Sequence, residues 1–269
     1  MKYLFLILFV LMAVFAPTAS AQSKADVEYV NQVFYPATTL LYSQDSAGGM
    51  RMRCTATAIE KTKTGYVFVT AAHCGAVDDT DHKTVSPEKT FFYITDDAIT
   101  DKTFLKADPI GAGYRHRGDD FMLFAVNTDK IFPVVSLGQD PVVLEPVVNV
   151  ASPLGLGKQV FVGTVSRAAL DRPIVEEDIN WTGAVTLQLF GTDGGSSGSA
   201  VVCLDQRAIC AFVVGSVDKT TMIAMPVSRL KTVIDGIKNK TYQYWQKDPD
   251  AKSAPDKSTS HPVPQPVNY

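Results

Sequence analysis

The chain has 269 residues, a formal net charge of −3 and 46% hydrophobic residues, enough to form a core, which excludes a disordered protein. Its mildly acidic balance argues against nucleic acid or an anionic membrane as the main partner. Four cysteines without a Cys-x-x-Cys pair favour two disulfides over a metal site, and we expect neither a metal nor a cofactor.

The N-terminal 21 residues predict a secretory signal peptide. Lys2 is followed by an apolar run from Tyr3 to Ala16 and then by Ala19-Ser20-Ala21. A charged start, a short apolar core and an A-x-A site are the parts of such a peptide. The apolar run is shorter than the roughly 20 residues needed to span a bilayer, although an uncleaved anchor is the alternative. We expect cleavage after Ala21 and a secreted protein, periplasmic or extracellular, with no membrane attachment.

Short strands are predicted along most of the chain from residue 22 onward. Runs rich in β-branched and aromatic residues are separated by Gly, Pro and Asp clusters, which indicates a barrel or sandwich rather than a β-α-β sheet. The predicted strands cover residues 38–42, 50–60, 66–70, 91–95, 104–106, 121–126, 147–151, 160–165, 184–189, 200–204 and 210–217.

Near the C-terminus the pattern changes. Apolar residues recur at three- and four-residue steps from Pro226 to about Trp245, which predicts one amphipathic helix. Pro226 suits the first helical position, and Ser228 is a candidate cap. Residues 248–269 are dominated by Pro, Ser, Lys and Asp, which predicts a disordered tail.

The stretch from Asp193 to Ala200 reads DGGSSGSA and is the first candidate for chemistry. Its glycines let a backbone turn sharply and leave N–H groups uncovered. A serine at the crest of such a turn can attack a substrate carbonyl, and nearby N–H groups can bind the oxyanion that forms. By itself the pattern also fits an ordinary Gly/Ser-rich loop, so Ser197 requires partners elsewhere.

A nucleophilic serine needs a base, which is usually a histidine oriented by a carboxylate. Of the four histidines, His82 and His261 lie in polar segments and His116 in a basic loop, so we expect them at the surface. His73 differs because it directly follows a predicted strand and lies among small residues. Pattern alone leaves a structural and a catalytic role for His73 equally open.

Three segments together resemble the trypsin-like (chymotrypsin-fold) serine proteases. TAAHC at 70–74 matches the histidine motif of that family, Asp120 before the apolar run 121–126 resembles its aspartate segment, and GSSGS at 195–199 is similar to its Gly-x-Ser-Gly-Gly motif. The order His, Asp, Ser also agrees. Residues 136–138, 151–155 and 162–166 are similar to the bacterial HtrA-type branch. The resemblance covers about residues 45–235 and includes no PDZ domain.

The resemblance implies an all-β fold of two six-stranded antiparallel β-barrels with a C-terminal α-helix. It places one protease domain at residues 22–247, with the barrels divided near 130–145. It implies a serine endopeptidase that acts on protein or peptide substrates through an acyl-enzyme. Ser197 would be the nucleophile, His73 the general base and then acid, and Asp120 the residue that orients the histidine. Asp119 is the adjacent alternative, but strand alternation lets only one of the two aspartates face the histidine.

Further roles follow from the same resemblance. The backbone N–H groups of Gly195 and Ser197 would form the oxyanion hole, and Gly191 would form the floor of the primary pocket. Residues Val214, Gly215, Ser216 and Val217 resemble the strand that binds the substrate backbone. The family commonly pairs cysteines at the positions of Cys54 and Cys74. Cys203 and Cys210 flank a predicted turn and are candidates for a second disulfide, although sequence alone leaves three pairings open.

Three departures from the family pattern bear on activity. Ser196 stands where animal trypsin-like enzymes have the aspartate that receives a new N-terminus, so we expect no zymogen switch of that kind. Ser199 replaces the second glycine of the serine motif and would cost about 1 kcal/mol if its φ were positive. Gly191 offers no carboxylate, and Asp193 nearby need not face the pocket, which argues against a preference for Arg or Lys. The alternatives are a catalytically silent, peptide-binding member of the fold and an esterase.

Overall fold

The computed structural model describes residues 22–44, 47–75, 91–96, 103–114, 117–170, 175–176 and 179–242. The signal peptide predicted at residues 1–21 and the tail predicted at 248–269 lie outside these ranges, and both stay predictions. His82, His116 and His261 also lie outside the described residues.

The N-terminal half forms a closed antiparallel barrel. Its strands are β1 (Thr38–Gln44), β2 (Met50–Lys61), β3 (Gly65–Thr70), β4 (Phe91–Thr95), β5 (Leu105–Ala112) and β6 (Met122–Asn127), in the order β1-β2-β3-β6-β5-β4. Strand β3 is buried along its whole length. Phe132 packs on one face of this strand, with its ring edge-to-face 5.5 Å from that of Tyr66 and 5.3 Å from that of Phe68. The strand before His73 is therefore fixed by this packing and by its pairing with β2 and β6.

A second closed barrel follows. The strands of this half are β7 (Pro146–Ala151), β8 (Gln159–Arg167), β9 (Val175–Glu176), β10 (Ile179–Asn180), β11 (Val185–Leu189), β12 (Ala200–Cys203), β13 (Ala208–Ser216) and β14 (Thr221–Pro226). The barrel order is β11-β14-β13-β12-β7-β8, while β9 and β10 pair separately as a two-stranded sheet. The expected class of two six-stranded antiparallel barrels is confirmed.

The barrels meet through buried aromatic residues. Phe121, just before β6, packs edge-to-face on Phe212 of β13 with ring centroids 5.6 Å apart, and neither side chain is exposed. Fully burying such a side chain stabilises a fold by roughly 1.5–3 kcal/mol. This contact fixes the segment that carries Asp120 against the second barrel.

Among the described residues, three α-helices flank the barrels. They are α1 (Lys24–Tyr29), α2 (Tyr35–Ala37), which a π-helical turn joins to α1, and the expected C-terminal helix α3 (Val227–Lys238). In the described part of the chain, no helix has the length and apolar character required to cross a membrane.

Both ends of α3 differ from the prediction. The helix ends at Lys238, with Asn239 as its C-cap, rather than near Trp245. Pro226 is the N-cap residue and ends β14, rather than being the first helical residue. Ser228 makes no cap with its own side chain. Instead the Asp140 carboxylate accepts hydrogen bonds from Ser228 N and Oγ at 2.8 and 2.7 Å. A carboxylate at a helix N-terminus also interacts favourably with the helix dipole.

The strand predictions omitted β9, β10 and β14 and ended β5 too early. Strand β14 was not predicted because TMIAMP lacks alternation and precedes the helix, yet β11 and β13 pair with it on both sides. Strand β5 continues to Ala112, beyond the predicted end at 106, through Pro109 and Gly111. A register shift between these two residues accommodates them, as is usual for proline and glycine in sheets.

Candidate active site

His73 lies directly after β3 in a short 3-10 helix, Ala72–Cys74. A disulfide joins Cys74 to Cys54 on β2, so the turn is fixed to the neighbouring strand. The side chain of His73 is 24% exposed. The ring therefore has a rigid base and remains accessible to a substrate. Both implied disulfides are present, the second being Cys203–Cys210 across the turn between β12 and β13.

The structure brings Asp120 to His73. Asp120 Oδ2 lies 2.7 Å from His73 Nδ1, and Oδ1 accepts a hydrogen bond of 2.8 Å from His73 N. The Asp120 side chain is only 1% exposed. Because an ionised carboxylate only accepts hydrogen bonds, the proton belongs on Nδ1, and Nε2 is left as the basic nitrogen.

Asp119 has other partners. Its Oδ1 accepts a hydrogen bond of 3.3 Å from Arg229 on α3, and its Oδ2 accepts one of 2.6 Å from the Tyr242 hydroxyl. Asp120 therefore binds the histidine, and Asp119 binds the C-terminal helix and the residues just after it, although both aspartates precede β6 rather than lie within it.

The turn that carries Ser197 packs against the end of β3. Gly195 and Gly198 have φ values of +96° and +77°. A Cβ on Gly198 would lie 2.1 Å from Thr70 Oγ1 and 2.5 Å from Ala71 N, so only glycine fits this approach. Because Thr70 and Ala71 directly precede the histidine turn, the serine turn and His73 are neighbours. The described contacts include no hydrogen bond between Ser197 Oγ and the His73 ring.

The Gly195 N–H has a fixed direction. The carbonyl of Gly194 accepts a hydrogen bond of 2.6 Å from Leu154 N. In a trans peptide the C=O and the following N–H point in opposite directions, so this bond turns the Gly195 N–H away from Leu154. Gly195 N donates to no acceptor among the described residues.

The Ser197 N–H is fixed in the same way. The carbonyl of Ser196 accepts from Ser199 N at 3.1 Å, which orients the peptide between Ser196 and Ser197. Every other N–H from 193 to 199 donates to a described protein acceptor, whereas those of Gly195 and Ser197 do not. These two are the donors that the resemblance assigns to an oxyanion hole.

The two unusual serines of the motif have local roles. Ser199 is buried without a positive φ, so the strain considered for it does not arise. Its hydroxyl accepts a hydrogen bond of 2.8 Å from Asn149. Ser196 is also buried, and its hydroxyl accepts a hydrogen bond of 3.3 Å from Asp193 N.

The expected substrate strand lies at the end of β13 beside the serine turn. Strand β12 pairs with β13 only as far as Phe212, and Val213 then exchanges backbone hydrogen bonds of 2.7 and 2.9 Å with Gly198 and Ser199. Val214 is buried, Gly215 is half-buried, and Ser216 and Val217 are exposed. Beyond Val213, no described strand pairs with the edge of β13 opposite β14.

The expected pocket position Gly191 is exposed and has a φ of +86°. A Cβ at this residue would lie 3.2 Å from the Phe161 ring. The next residue, Thr192, is buried with its hydroxyl against the Met222 sulfur. Asp193 Oδ1 accepts the Gly194 N–H at 2.7 Å, so this carboxylate is used within the turn.

One cluster in the described residues has metal-ligating atom types within 4.8 Å of one another, namely Cys54, His73 and Cys74. The two sulfurs are bonded to each other as a disulfide. They therefore supply no thiolate, which is the form of cysteine that binds a metal.

Sequence reasoning missed two contributors to this site, Thr55 and Leu154. Thr55 hydrogen-bonds to residues of the serine turn about 140 positions away, and Leu154 orients the Gly194 peptide. No local motif signals either contact, although Leu154 lies in a segment with family resemblance.

Comparison with solved structures shows a shared fold. The HtrA-type protease AlgW with a decapeptide has a TM-score of 0.60 and 16% identity, over 80% of this chain and 67% of that one. An AlgW variant with a tripeptide has a TM-score of 0.60 and 17% identity, over 81% and 64%. Deg5 has a TM-score of 0.58 and 16% identity, over 80% and 96%. The chain thus spans about two thirds of the AlgW chains.

No curated protein sequence matches the chain significantly. The family model of the trypsin-like peptidase domain, however, matches residues 54–210, a range that contains His73, Asp120 and Ser197. This match covers more than half of the 269 residues. The chain belongs to the trypsin-like peptidase family.

Proposed function

We propose that the protein is an exported serine endopeptidase in which Ser197, His73 and Asp120 form the catalytic triad. The observation that carries the proposal is the 2.7 Å contact between His73 Nδ1 and the buried Asp120 carboxylate, in a turn that adjoins the Ser197 turn. A buried carboxylate paired with a partly exposed histidine is the arrangement that general-base catalysis requires.

Acylation begins when Ser197 Oγ attacks the carbonyl carbon of the scissile peptide bond and its proton passes to His73 Nε2. Asp120 stabilises the imidazolium that forms. The N–H groups of Gly195 and Ser197 bind the oxyanion, a contribution of about 3 kcal/mol for each donor. The intermediate then collapses, the C–N bond breaks, and the leaving amine takes the proton from His73. The acyl group remains on Ser197 as an ester.

Deacylation repeats these steps with water. His73 removes a proton from the water, whose oxygen attacks the ester carbonyl. Collapse of the second intermediate releases the carboxylic acid and returns the proton to Ser197 Oγ. His73 thus serves as base and then as acid in each half of the reaction.

The substrates in this proposal are proteins or peptides. An extended peptide would add as a strand to residues 214–217 of the second barrel, where its scissile bond would lie beside Ser197. The edge of β13 beyond Val213, with which no described strand pairs, supports this, and so do the peptides present with the AlgW structures. Gly191 and Thr192 at the expected pocket offer no carboxylate, so we propose that Arg and Lys are not the preferred residues.

Export follows from the predicted signal peptide, with cleavage after Ala21. The two disulfides support this proposal because disulfides persist mainly in oxidising compartments.

The test uses the purified chain from Gln22 onward, with unfolded casein and p-nitrophenyl acetate as substrates. We expect casein fragments and a burst of about one p-nitrophenolate per chain, the sign of acyl-enzyme accumulation. Ser197→Ala and His73→Ala should abolish both. Ester hydrolysis without cleavage of any protein would indicate an esterase. No turnover by folded protein, together with binding of casein peptides, would indicate a silent peptide-binding protein.

A further inference from the structure

Thr55 on β2 connects the first barrel to the serine turn of the second. Its Oγ1 donates a hydrogen bond of 2.9 Å to the Gly195 carbonyl and accepts one of 3.1 Å from Ser152 N. Its backbone N–H donates to the Ser197 carbonyl at 3.0 Å. One residue therefore holds two carbonyls of the turn that carries the expected nucleophile and oxyanion donors.

All four carbonyls from Gly194 to Ser197 are anchored. Leu154 N donates to the Gly194 carbonyl and Ser199 N to the Ser196 carbonyl. Thr55 donates to the carbonyls of Gly195 and Ser197. Because each peptide unit is planar, the Leu154 and Ser199 bonds set the directions of the Gly195 and Ser197 N–H groups. The Thr55 bonds hold the next peptide units, which follow Gly195 and Ser197. Of the three residues that donate these hydrogen bonds, Thr55 lies in the first barrel, which also carries His73 and Asp120.

Thr55 itself is rigidly placed. Strand β3 pairs with β2 only from Thr57 onward, so Thr55 lies past the end of that pairing. Its carbonyl accepts a hydrogen bond of 2.8 Å from Thr70 Oγ1, and its neighbour Cys54 is bonded to Cys74 beside the histidine. Thr55 is fully buried, and hydrogen bonds shielded from water hold geometry more strongly than exposed ones.

We infer that Thr55 is a positioning residue for the oxyanion hole. By holding the peptide units that follow Gly195 and Ser197, it keeps the turn that carries their N–H groups in register with the His73–Asp120 pair. The inference rests on the proposed function. It assigns to Thr55 no contact with substrate. Its effect is on transition-state stabilisation, since the oxyanion forms only after attack.

The same strand supplies a matched control. Thr57 is also buried on β2, but its hydroxyl has no hydrogen-bond partner among the described residues. Thr55→Val and Thr57→Val are the same near-isosteric change, and only the first removes a hydrogen bond to the serine turn, the one from Oγ1 to the Gly195 carbonyl. Thr55→Ser keeps the hydroxyl and tests rescue. If Thr55→Val does not fold, Thr55→Ala removes the same hydroxyl and is judged by the same criterion.

The experiment measures kcat and KM on one peptide substrate, with thermal unfolding to verify folding. For Thr55→Val we expect kcat to fall by about 10- to 100-fold, as misplaced catalytic groups cause, with KM within about twofold of wild type. Thr55→Ser should restore most of kcat, and Thr57→Val should leave it unchanged. A folded Thr55→Val with wild-type kcat would overturn the inference, and so would a Thr55→Ser variant as impaired as the valine.

Failure of the inference can be told apart from failure of the proposed function. If Ser197 of the wild-type chain does not react with a fluorophosphonate, both the proposed function and the role of Thr55 are contradicted. If Ser197 of the wild-type chain reacts and Thr55→Val is fully active, only the role of Thr55 is contradicted.

Discussion

Asp119 and Asp120 are adjacent in the chain, yet the carboxylate of Asp120 binds the histidine turn and that of Asp119 binds the C-terminal segment. Asp120 holds the His73 ring and backbone, whereas Asp119 holds Arg229 in α3 and Tyr242 just after that helix. One short segment thus ties the expected catalytic histidine to the end of the described chain. Substitutions at the two positions should separate catalysis from stability.

Asp120→Asn should lower kcat by about 10⁴-fold, because an amide cannot hold the same histidine tautomer. Asp119→Asn should instead reduce the free energy of unfolding by about 1–3 kcal/mol, since it weakens buried hydrogen bonds to a charged group. Peptide hydrolysis and urea unfolding of both variants test this. Equal losses of kcat in the two would contradict the assignment of Asp120.

The glycines of the serine turn should differ in how far they tolerate substitution by alanine. Gly198→Ala should destabilise the fold by about 3 kcal/mol or more, because it combines a positive φ with a Cβ that meets Thr70 and Ala71. Gly194→Ala is the control, since no atom lies within 4 Å of its Cβ and its φ is not positive. Urea denaturation compares them. A well-folded Gly198→Ala would show that the turn does not approach β3 this closely.

The two disulfides should contribute unequally. By the chain-entropy estimate, the bond between Cys54 and Cys74, 20 residues apart, is worth about 3 kcal/mol, and that between Cys203 and Cys210, 7 apart, about 2 kcal/mol. Replacing the first pair with alanine should also lower kcat, because it frees the histidine turn and Thr55. Replacing the second should mainly affect stability. The reverse pattern in unfolding and activity assays would count against this account.

Stability should fall at high pH because two half-buried tyrosines, Tyr29 and Tyr242, ionise. Burial raises the pKa of Tyr29 to about 12, and burial followed by the hydrogen bond to Asp119 raises the pKa of Tyr242. A pKa raised in the folded state means that the unfolded chain loses the proton first. This contribution is therefore complete below about pH 10, the unfolded pKa, and is lost as pH rises toward 12.

The check for this pH dependence is the midpoint of urea unfolding between pH 9 and pH 12. Tyr29→Phe should flatten the decline relative to wild type, because phenylalanine does not ionise. An identical pH dependence in Tyr29→Phe would show that other groups cause the alkaline loss.

The sequence predicts those features that depend on local pattern. Most of the strands, the late helix and the residues His73, Asp120 and Ser197 lie in short patterns that can be recognised without knowing the fold. The choice between Asp119 and Asp120 also follows locally, from the position of Asp120 directly before the apolar run 121–126.

Other features depend on contacts between distant segments. Asp140 caps α3 although it is 88 residues from Ser228 in the sequence, and Thr55 hydrogen-bonds to the Gly195 carbonyl over a separation of 140 residues. Strand β14 forms because two neighbours pair with it, despite a sequence with weak strand character. The hydrogen bonds that hold the serine turn likewise cannot be predicted from local sequence, because they join residues of different barrels and loops.

The most direct test of the account is the reaction of the purified chain with a fluorophosphonate, with the adduct located by mass spectrometry. We predict one adduct on Ser197, absent from Ser197→Ala and strongly slowed in His73→Ala, because only an activated serine reacts readily. A folded, disulfide-bonded protein that forms no adduct, or one that reacts equally without His73, would contradict the proposed catalytic triad.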